Sequence, residues 1–320
     1  MVMVNKMGKN ILPIIIGPTA TGKTRLAALV AADINAEVIC ADSRQVYRDM
    51  NLGTGKDYDD YIVNGQKIPY HLMDIVDAGE KFNLFKFFEA FQQSYKDIVD
   101  RGKQPLVCGG TGMYVESIIK NYNMHPVPED SEFRKSCESR SFEDLTEELK
   151  TYKTLHNTTD LDTKKRLVRA LEIARYERLH PVECKQSACL YAPLTIGVSV
   201  SREVRRERIE RRFKERLASG MTDEVEALLA KGVPAETLIY YGLEYKYLTL
   251  YVTGKITRNE MEEQLLTAIF QFAKRQMTWF RGMERRGINI HWIDGELPMD
   301  ERKQAVEEII SNAQCVMLNA

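Results

Sequence analysis

The sequence predicts an α/β fold, a parallel sheet flanked by helices, interrupted by an all-helical insertion. Three observations predict it. An apolar run, Ile11 to Ile16, opens directly into a glycine-containing loop and then a helix-forming stretch, Arg25 to Ala32. Two further short apolar runs, Glu37 to Ala41 and Gln104 to Cys108, each end in a polar motif, as buried parallel strands do at the edge where such sheets bind ligands. From about Tyr122 to Ala192 the strand signal disappears and charged, helix-forming stretches take over. The expected organisation is a core built from residues 1–121 and 193–320 with an insertion over 122–192.

The first unit carries the sharpest chemistry. Gly17, Pro18, Thr19, Ala20, Thr21, Gly22, Lys23 and Thr24 match the phosphate-cradling loop G-x-x-x-x-G-K-[ST] in full. Delivered by a strand and followed by a helix, such a loop turns successive backbone N–H groups and the helix dipole onto an anion. In this pattern Lys23 reaches the outer phosphate oxygens, Thr24 ligates Mg²⁺, and Gly22 lets the backbone approach. The core is thus expected to be P-loop NTPase-like, but the loop alone does not distinguish phosphoryl transfer from expulsion of diphosphate.

Asp42, Ser43, Arg44, Gln45, Val46 and Tyr47 follow the second strand. Asp42 has three open roles: Mg²⁺ ligand, cap of a helix beginning at Ser43, or general base. In Gly53, Thr54, Gly55, Lys56 and Asp57, Lys56 either approaches an anion or is solvated. Asn83 to Arg101 reads as a helix with a core stripe of Phe85, Phe88, Phe91, Tyr95 and Ile98. After the third strand, Gly109, Gly110 and Gly112 permit close backbone approach, and a structural turn does not account for Thr111 between them. Helices are expected at Ser141 to Tyr152 and Leu161 to Glu177. Pro193 to Val200 restores the sheet, and helices follow near Arg202 to Ser219, Thr222 to Lys231, Arg258 to Arg281 and Asp300 to Asn312.

Composition bounds the rest. With 320 residues, 44% hydrophobic and 28% charged, the chain holds enough apolar content for two domains. Met1 to Asn10 is too polar for a signal peptide, and no run approaches a membrane span, so a cytoplasmic protein without membrane contact is expected. Cys40, Cys108, Cys137, Cys184, Cys189 and Cys315 show no paired metal spacing. A net charge of −1 carries no global nucleic-acid signal, but cations cluster locally. They gather at Lys164, Lys165, Arg166 and Arg169, and again at Arg202, Arg205, Arg206, Arg208, Arg211, Arg212, Lys214 and Arg216. In the second cluster Glu207/Arg211 and Glu210/Lys214 sit at helical pairing distance, so a self-paired surface competes with phosphate binding; Arg281, Arg285 and Arg286 near Trp279 are equally open.

GPTATGKT, DSRQVY, GTGKD, YHLMDIVD and GGTGMYV, in this order, resemble the tRNA dimethylallyltransferase family, and the likeness continues through KKRLVRALEI, RRFKERLASG and AKRQMTWFR. The resemblance implies transfer of a dimethylallyl group from dimethylallyl diphosphate to N6 of the adenosine 3′-adjacent to the anticodon, with Mg²⁺ as cofactor. It implies Asp42, Thr111 and Lys23 as catalytic residues. It further implies contacts to the tRNA anticodon stem-loop from Asp42, Ser43, Arg44, Gln45, Thr111, Arg134, Lys165, Arg166, Leu167, Val168 and Arg169. A monomer is the expected state. Two departures stand out: Gly242, Leu243, Glu244, Tyr245 replaces the family's Gly-Tyr-Lys-Glu, and Ala268, Ile269, Phe270 replaces Ala-Thr-Arg, so two cations are missing. A P-loop kinase or NTPase, and an RNA-binding relative whose chemistry has lapsed, are the alternatives; against the kinase, Leu106 to Cys108 ends in Gly109 rather than an acidic pair.

Overall fold

The computed structural model describes residues 10–122, 124, 126–152, 161–180 and 190–319. Cys184, Cys189 and most of Met1 to Asn10 lie outside the described residues. In chain order the elements begin with β1 (Asn10–Ile16), α1 (Lys23–Asp33) and β2 (Ala36–Cys40). A single 3-10 turn, Tyr58–Tyr61, precedes β3 (Ile62–Val63), β4 (Gln66–Lys67) and β5 (Tyr70–His71). Then come α2 (Leu84–Asp100), β6 (Gln104–Gly109), α3 (Gly112–Ile119), α4 (Ser131–Glu138), α5 (Phe142–Tyr152), α6 (Lys164–Leu179) and β7 (Tyr191–Ser199). The chain continues through α7 (Arg202–Ala218), α8 (Met221–Ala230), α9 (Ala235–Tyr241), α10 (Leu243–Val252), α11 (Arg258–Arg285), β8 (Ile290–Asp294) and α12 (Met299–Asn319).

Six strands form one sheet in the order β5-β2-β6-β1-β7-β8, and every pairing in it is parallel. The register sets Ile16 opposite both Gly109 and Gly197, and Cys40 opposite Cys108. The chain leaves β1, crosses through α1 and enters β2 two places away, with β6 filling the gap. That skipped place is a switch point, where the carboxyl ends of parallel strands leave a crevice for a ligand.

Both faces of the sheet are covered, so strands that read as continuous apolar runs are buried throughout. On one face Ile11, Ile15, Val38 and Leu106 pack with Leu26, Ala27 and Val30 of α1 and with Val306 and Ile310 of α12. On the other, α2 lies against β2, β6 and α3. Its buried stripe is Phe87, Phe88, Phe91, Tyr95 and Ile98. Phe85 is only half-buried, so the stripe begins at Phe87, which lies a turn below Phe91 and closer to its centre. Helices α7, α8, α10 and α11 build a second apolar cluster around Phe213, Leu228, Tyr245, Leu248 and Leu265.

The chain divides into two compact units, residues 1–122 with 189–320, and residues 123–188. The smaller has its own core of Phe133, Cys137, Leu145, Leu149, Leu167 and Leu171 on α4, α5 and α6. Short or amphipathically weak elements were not expected from the sequence: β3, β4, β5, β8, α3, α4, α9 and α10. β5 is two residues long, and the β8 strand IHWID, at the sheet edge, buries only Ile290 and Ile293.

Candidate active site

Three sequence motifs arrive at the same end of three adjacent strands. The phosphate loop follows β1, Thr111 follows β6, and Asp42 follows β2. The loop is held open from within: Thr21, fully buried, donates its hydroxyl to the Pro18 carbonyl at 3.0 Å. Lys23 Nζ lies 3.4 Å from the same oxygen. Gly22 occupies the left-handed region at φ 78° and serves as N-cap of α1 with no side-chain cap, which leaves the first helical N–H groups for an anion. Burial pulls the Lys23 ammonium below its usual pKa, while the Cys108 thiol and the Asp42 carboxylate work against that. Gly17, Pro18 and Thr21 shape the loop; Thr19, Ala20, Gly22, Lys23 and Thr24 face the cavity.

Gln276 on α11 contributes a tie that the motifs do not advertise. Its side chain is buried, accepts from Thr19 N–H at 2.9 Å and donates to the Gly110 carbonyl at 2.9 Å. One amide thus locks the phosphate loop to the turn after β6. Its only sequence signal was membership of the AKRQMTWFR segment.

Asp42 caps a turn, not a helix. Its Oδ1 accepts from the N–H groups of Arg44 (2.8 Å) and Gln45 (3.3 Å), and the segment after it runs as consecutive turns. The local side-chain bond satisfies the backbone without needing a helix. Thr111 Oγ1 accepts from Ser43 N–H at 3.1 Å and donates to Ser43 Oγ at a long 3.5 Å, so the β2 and β6 motifs are joined directly and the Thr111 proton is held only by that long contact. Gln45 is anchored by the Thr54 and Gly55 carbonyls at 3.2 and 3.0 Å, and Arg44 lies over the Tyr241 ring at 5.2 Å. Close approach explains Gly109: a Cβ there would fall inside the Ala41 carbonyl, a backbone group with no freedom to move. Gly109→Ala is therefore expected to cost about 1–3 kcal/mol or more, read as a lowered denaturation midpoint at unchanged m-value.

These residues line a cavity of about 870 Å³ whose opposite wall is cationic. Arg208, Arg212 and Arg216 recur every fourth residue along α7 and, with Arg211, face this cavity together with Arg275 and Arg302. The ion pair formed within this stretch of α7 is Arg211 with Glu215, at a loose 3.8 Å. Asp57 instead holds Arg212 at 3.2 Å and Arg216 at 3.0 Å. Burial, then the neighbouring Arg216, lowers the Arg212 pKa. Lys56 is not solvated, and the anion it meets is the protein's own: its side chain is fully buried, with Nζ 2.5 Å from the Tyr47 carbonyl and 2.5 Å from Asp74 Oδ1. That pairing ties the turn before Asp57 to the loop around Tyr47. Near Trp279, Arg286 makes a bidentate pair with the buried Glu116 at 2.9 and 2.7 Å.

The two departures now have surroundings. Tyr245 donates to Glu224 at 2.6 Å, and Glu224 also accepts from the N–H groups of Asn51, Leu52 and Gly53, so the tyrosine supports that loop. Phe270 lies beneath the Arg206 guanidinium at 4.0 Å. Glu244 faces the cationic cavity, and burial pushes its carboxyl up to about 7 against the pull of Arg216 and Arg212, with Asp42 adding to the rise. Below that pH it is neutral and above it anionic, in the same cavity as Arg208, Arg212 and Arg216. Relative to Glu244→Gln, affinity for inorganic diphosphate is therefore expected to fall roughly tenfold between about pH 6 and pH 8, the ligand's own ionisation cancelling in the comparison, measured by calorimetric titration of both proteins. The same raised pKa makes the folded chain hold a proton that the unfolded chain has released, so this group subtracts stability as pH rises from the usual carboxylate range through about 7.

In the smaller unit Arg134 is paired with Glu172 at 2.8 Å and Glu129 at 2.8 Å, and Arg169 with Glu172. Lys164 donates to the carbonyls of Glu138 and Arg140, and Arg166 pairs with Asp162. Leu167 is fully buried and Val168 packs against the same core, so of the expected 165–169 contacts the Leu167 side chain serves the fold.

A parallel sheet with a phosphate loop on its first strand and polar motifs on the two neighbouring strand ends defines a P-loop α/β enzyme core, the fold class read from the sequence. Within that class, the chain belongs to the IPP transferase family, whose model matches residues 45–283, while the isopentenyl transferase model matches residues 10–74. It is 55% identical over 294 residues to tRNA dimethylallyltransferase 2 of Bacteroides fragilis, covering 92% of this chain and 96% of that one. It is also 55% identical over 305 residues to tRNA dimethylallyltransferase 2 of Phocaeicola vulgatus, covering 95% and 98%. Among solved structures it is similar to the full-length tRNA isopentenylpyrophosphate transferase from Bacillus halodurans, at 29% identity and TM-score 0.71 over 97% of this chain and 98% of that one. The chain is thus a prenyltransferase. No helix among the described residues is long and apolar enough to cross a membrane.

Proposed function

We propose that the chain transfers a dimethylallyl group from dimethylallyl diphosphate to N6 of the adenosine 3′-adjacent to the anticodon in tRNA, releasing diphosphate. The observation that supports this reading is the meeting of an anion cradle, a carboxylate and a threonine hydroxyl at three neighbouring strand ends around one cavity. The cradle of Gly22, Lys23 and Thr24 holds the diphosphate. Once the target base is extruded from its loop, the N6 lone pair forms a bond to the allylic carbon. The carbon–oxygen bond breaks, and its electron pair leaves on the diphosphate. Asp42 takes the N6 proton through the carboxylate oxygen not engaged by Arg44 and Gln45. Thr111, whose Oγ1 already accepts from Ser43, donates to the bridging oxygen, and Lys23 meets the charge that grows there.

Thr24 offers a single hydroxyl to the cavity beside the diphosphate cradle. That sparse donor set suits Mg²⁺, which completes its octahedron with phosphate oxygens and water. Among the described residues no group of three His, Cys, Asp or Glu forms a cage for a metal. When bound, Mg²⁺ would neutralise charge on the departing diphosphate. The basic stretch of α6, with Arg134, contributes contacts to the anticodon stem-loop, and the chain acts as a cytoplasmic monomer.

The deciding experiment incubates the purified chain with unmodified tRNA, Mg²⁺ and dimethylallyl diphosphate and analyses tRNA nucleosides by mass. A dimethylallyl adduct on the anticodon-adjacent adenosine is expected. Turnover of ATP without prenylation overturns the reading in favour of phosphoryl transfer, and tRNA binding without either product indicates lapsed chemistry.

A further inference from the structure

The phosphate loop has a neighbour from the far end of the chain. Arg302, on the first turn of α12, is only 9% exposed and lines the same cavity as Gly22, Lys23 and Thr24. Its Nη1 donates to the Thr21 carbonyl at 3.3 Å and lies 3.2 Å from where a Cβ on Gly22 would stand. Its Nε is buried without a hydrogen-bond partner. No carboxylate forms an ion pair with it among the described residues. The charged groups it senses are Arg208, which disfavours its charge, and Asp294, which favours it, while burial is the largest influence and lowers its pKa. Arg208 is itself held by the Gly295 carbonyl at 3.1 Å, just before α12 begins.

A buried guanidinium using one of its five donors, with Asp294 acting on it only from beyond ion-pair distance, carries a desolvation cost that an arriving anion would offset. Packing alone explains its aliphatic stem but not an unpaired head beside an anion cradle. We propose that Arg302 is a second cationic contact for the donor's diphosphate, reaching it from the C-terminal helix at the Gly22 side of the phosphate loop. This rests on the reading that the cavity binds a diphosphate. Arginine suits the task because its fixed fork matches phosphate oxygens two at a time and keeps its charge when buried. It would also make the cradle depend on the docking of α12, so a site that looks local to Gly17–Thr24 is closed by a residue 281 positions from Thr21.

The test titrates inorganic diphosphate with Mg²⁺ into the full chain by calorimetry, for the wild type, Lys23→Ala, Arg302→Gln and Arg302→Met. The methionine variant keeps the buried stem, so a failure of the glutamine variant to fold leaves the question decidable. The expected result is a loss of roughly tenfold or more in diphosphate affinity for either Arg302 variant that retains the wild-type melting transition. Affinity for unmodified tRNA in the absence of donor is expected to be unchanged, and KM for dimethylallyl diphosphate to rise while KM for tRNA does not. Wild-type diphosphate affinity in a folded Arg302 variant overturns the proposal, as does a loss confined to melting temperature. If the wild type does not bind diphosphate, or binds it as Lys23→Ala does, the diphosphate reading itself fails and this contact fails with it.

Discussion

Asp42→Asn is expected to slow prenyl transfer by about 10²–10⁴-fold, the usual range for removing a positioned general base. Asparagine is chosen because the native carboxylate has two duties. Oδ1 caps the turn through Arg44 and Gln45, and an amide oxygen can do the same. What asparagine cannot do is accept the N6 proton as the carbon–nitrogen bond forms. The variant should therefore keep its melting temperature and its affinity for inorganic diphosphate, while single-turnover transfer to tRNA collapses. A rate within tenfold of wild type would remove Asp42 from the proton path and leave it as a turn cap.

Lys23→Ala is expected to lower transfer by about 10²–10³-fold, comparable to removing one preorganised donor from a site where charge develops. Lys23 sits at the head of α1 with Nζ near the Pro18 carbonyl, where burial disfavours its charge. A diphosphate arriving there restores the favourable balance, so the loss should appear in donor affinity as well as in rate. Calorimetric titration with diphosphate and single-turnover kinetics separate the two. Lys23→Arg should not rescue, because the bulkier planar head does not fit a loop drawn tightly around Thr21 and Pro18. Rescue by arginine would mean that the position needs only a positive charge.

Much of the candidate site's layout was legible because its signals are local. A strand, a loop and a helix in immediate succession specify the phosphate cradle, and the apolar runs of β1, β2, β6 and β7 are long enough to stand out against their flanks. β5 and β8 were missed for the opposite reason: two residues, or five whose buried positions do not alternate, carry little periodic signal. Lys56 was left open between an anion and solvent because a lone lysine in a polar turn fits either, and its partners, the Tyr47 carbonyl and Asp74, are brought to it by the fold. The α7 arginines were ambiguous because interleaved glutamates satisfy helical pairing on paper. Their assignment depended on which side of the helix meets a cavity, and the structure turns Arg208, Arg212 and Arg216 to it.

The link to prenyl transfer came from the resemblance of the chain's ordered motifs to a known family; by its own physical chemistry the sequence determined that this protein builds a P-loop core and that Asp42 and Thr111 follow strands. Each of those statements concerns residues within a few positions of one another, where spacing and backbone chemistry act. Only the tertiary structure decided that β6 slots between β1 and β2, which brings Asp42 and Thr111 to the phosphate loop. It also decided that Gln276 and Arg302, from helices more than 250 positions downstream, complete the loop's surroundings. Parallel strand order and long-range side-chain bonds arise from burying apolar faces on both sides of a sheet, a condition that depends on the whole chain at once and leaves no mark in any short stretch of it.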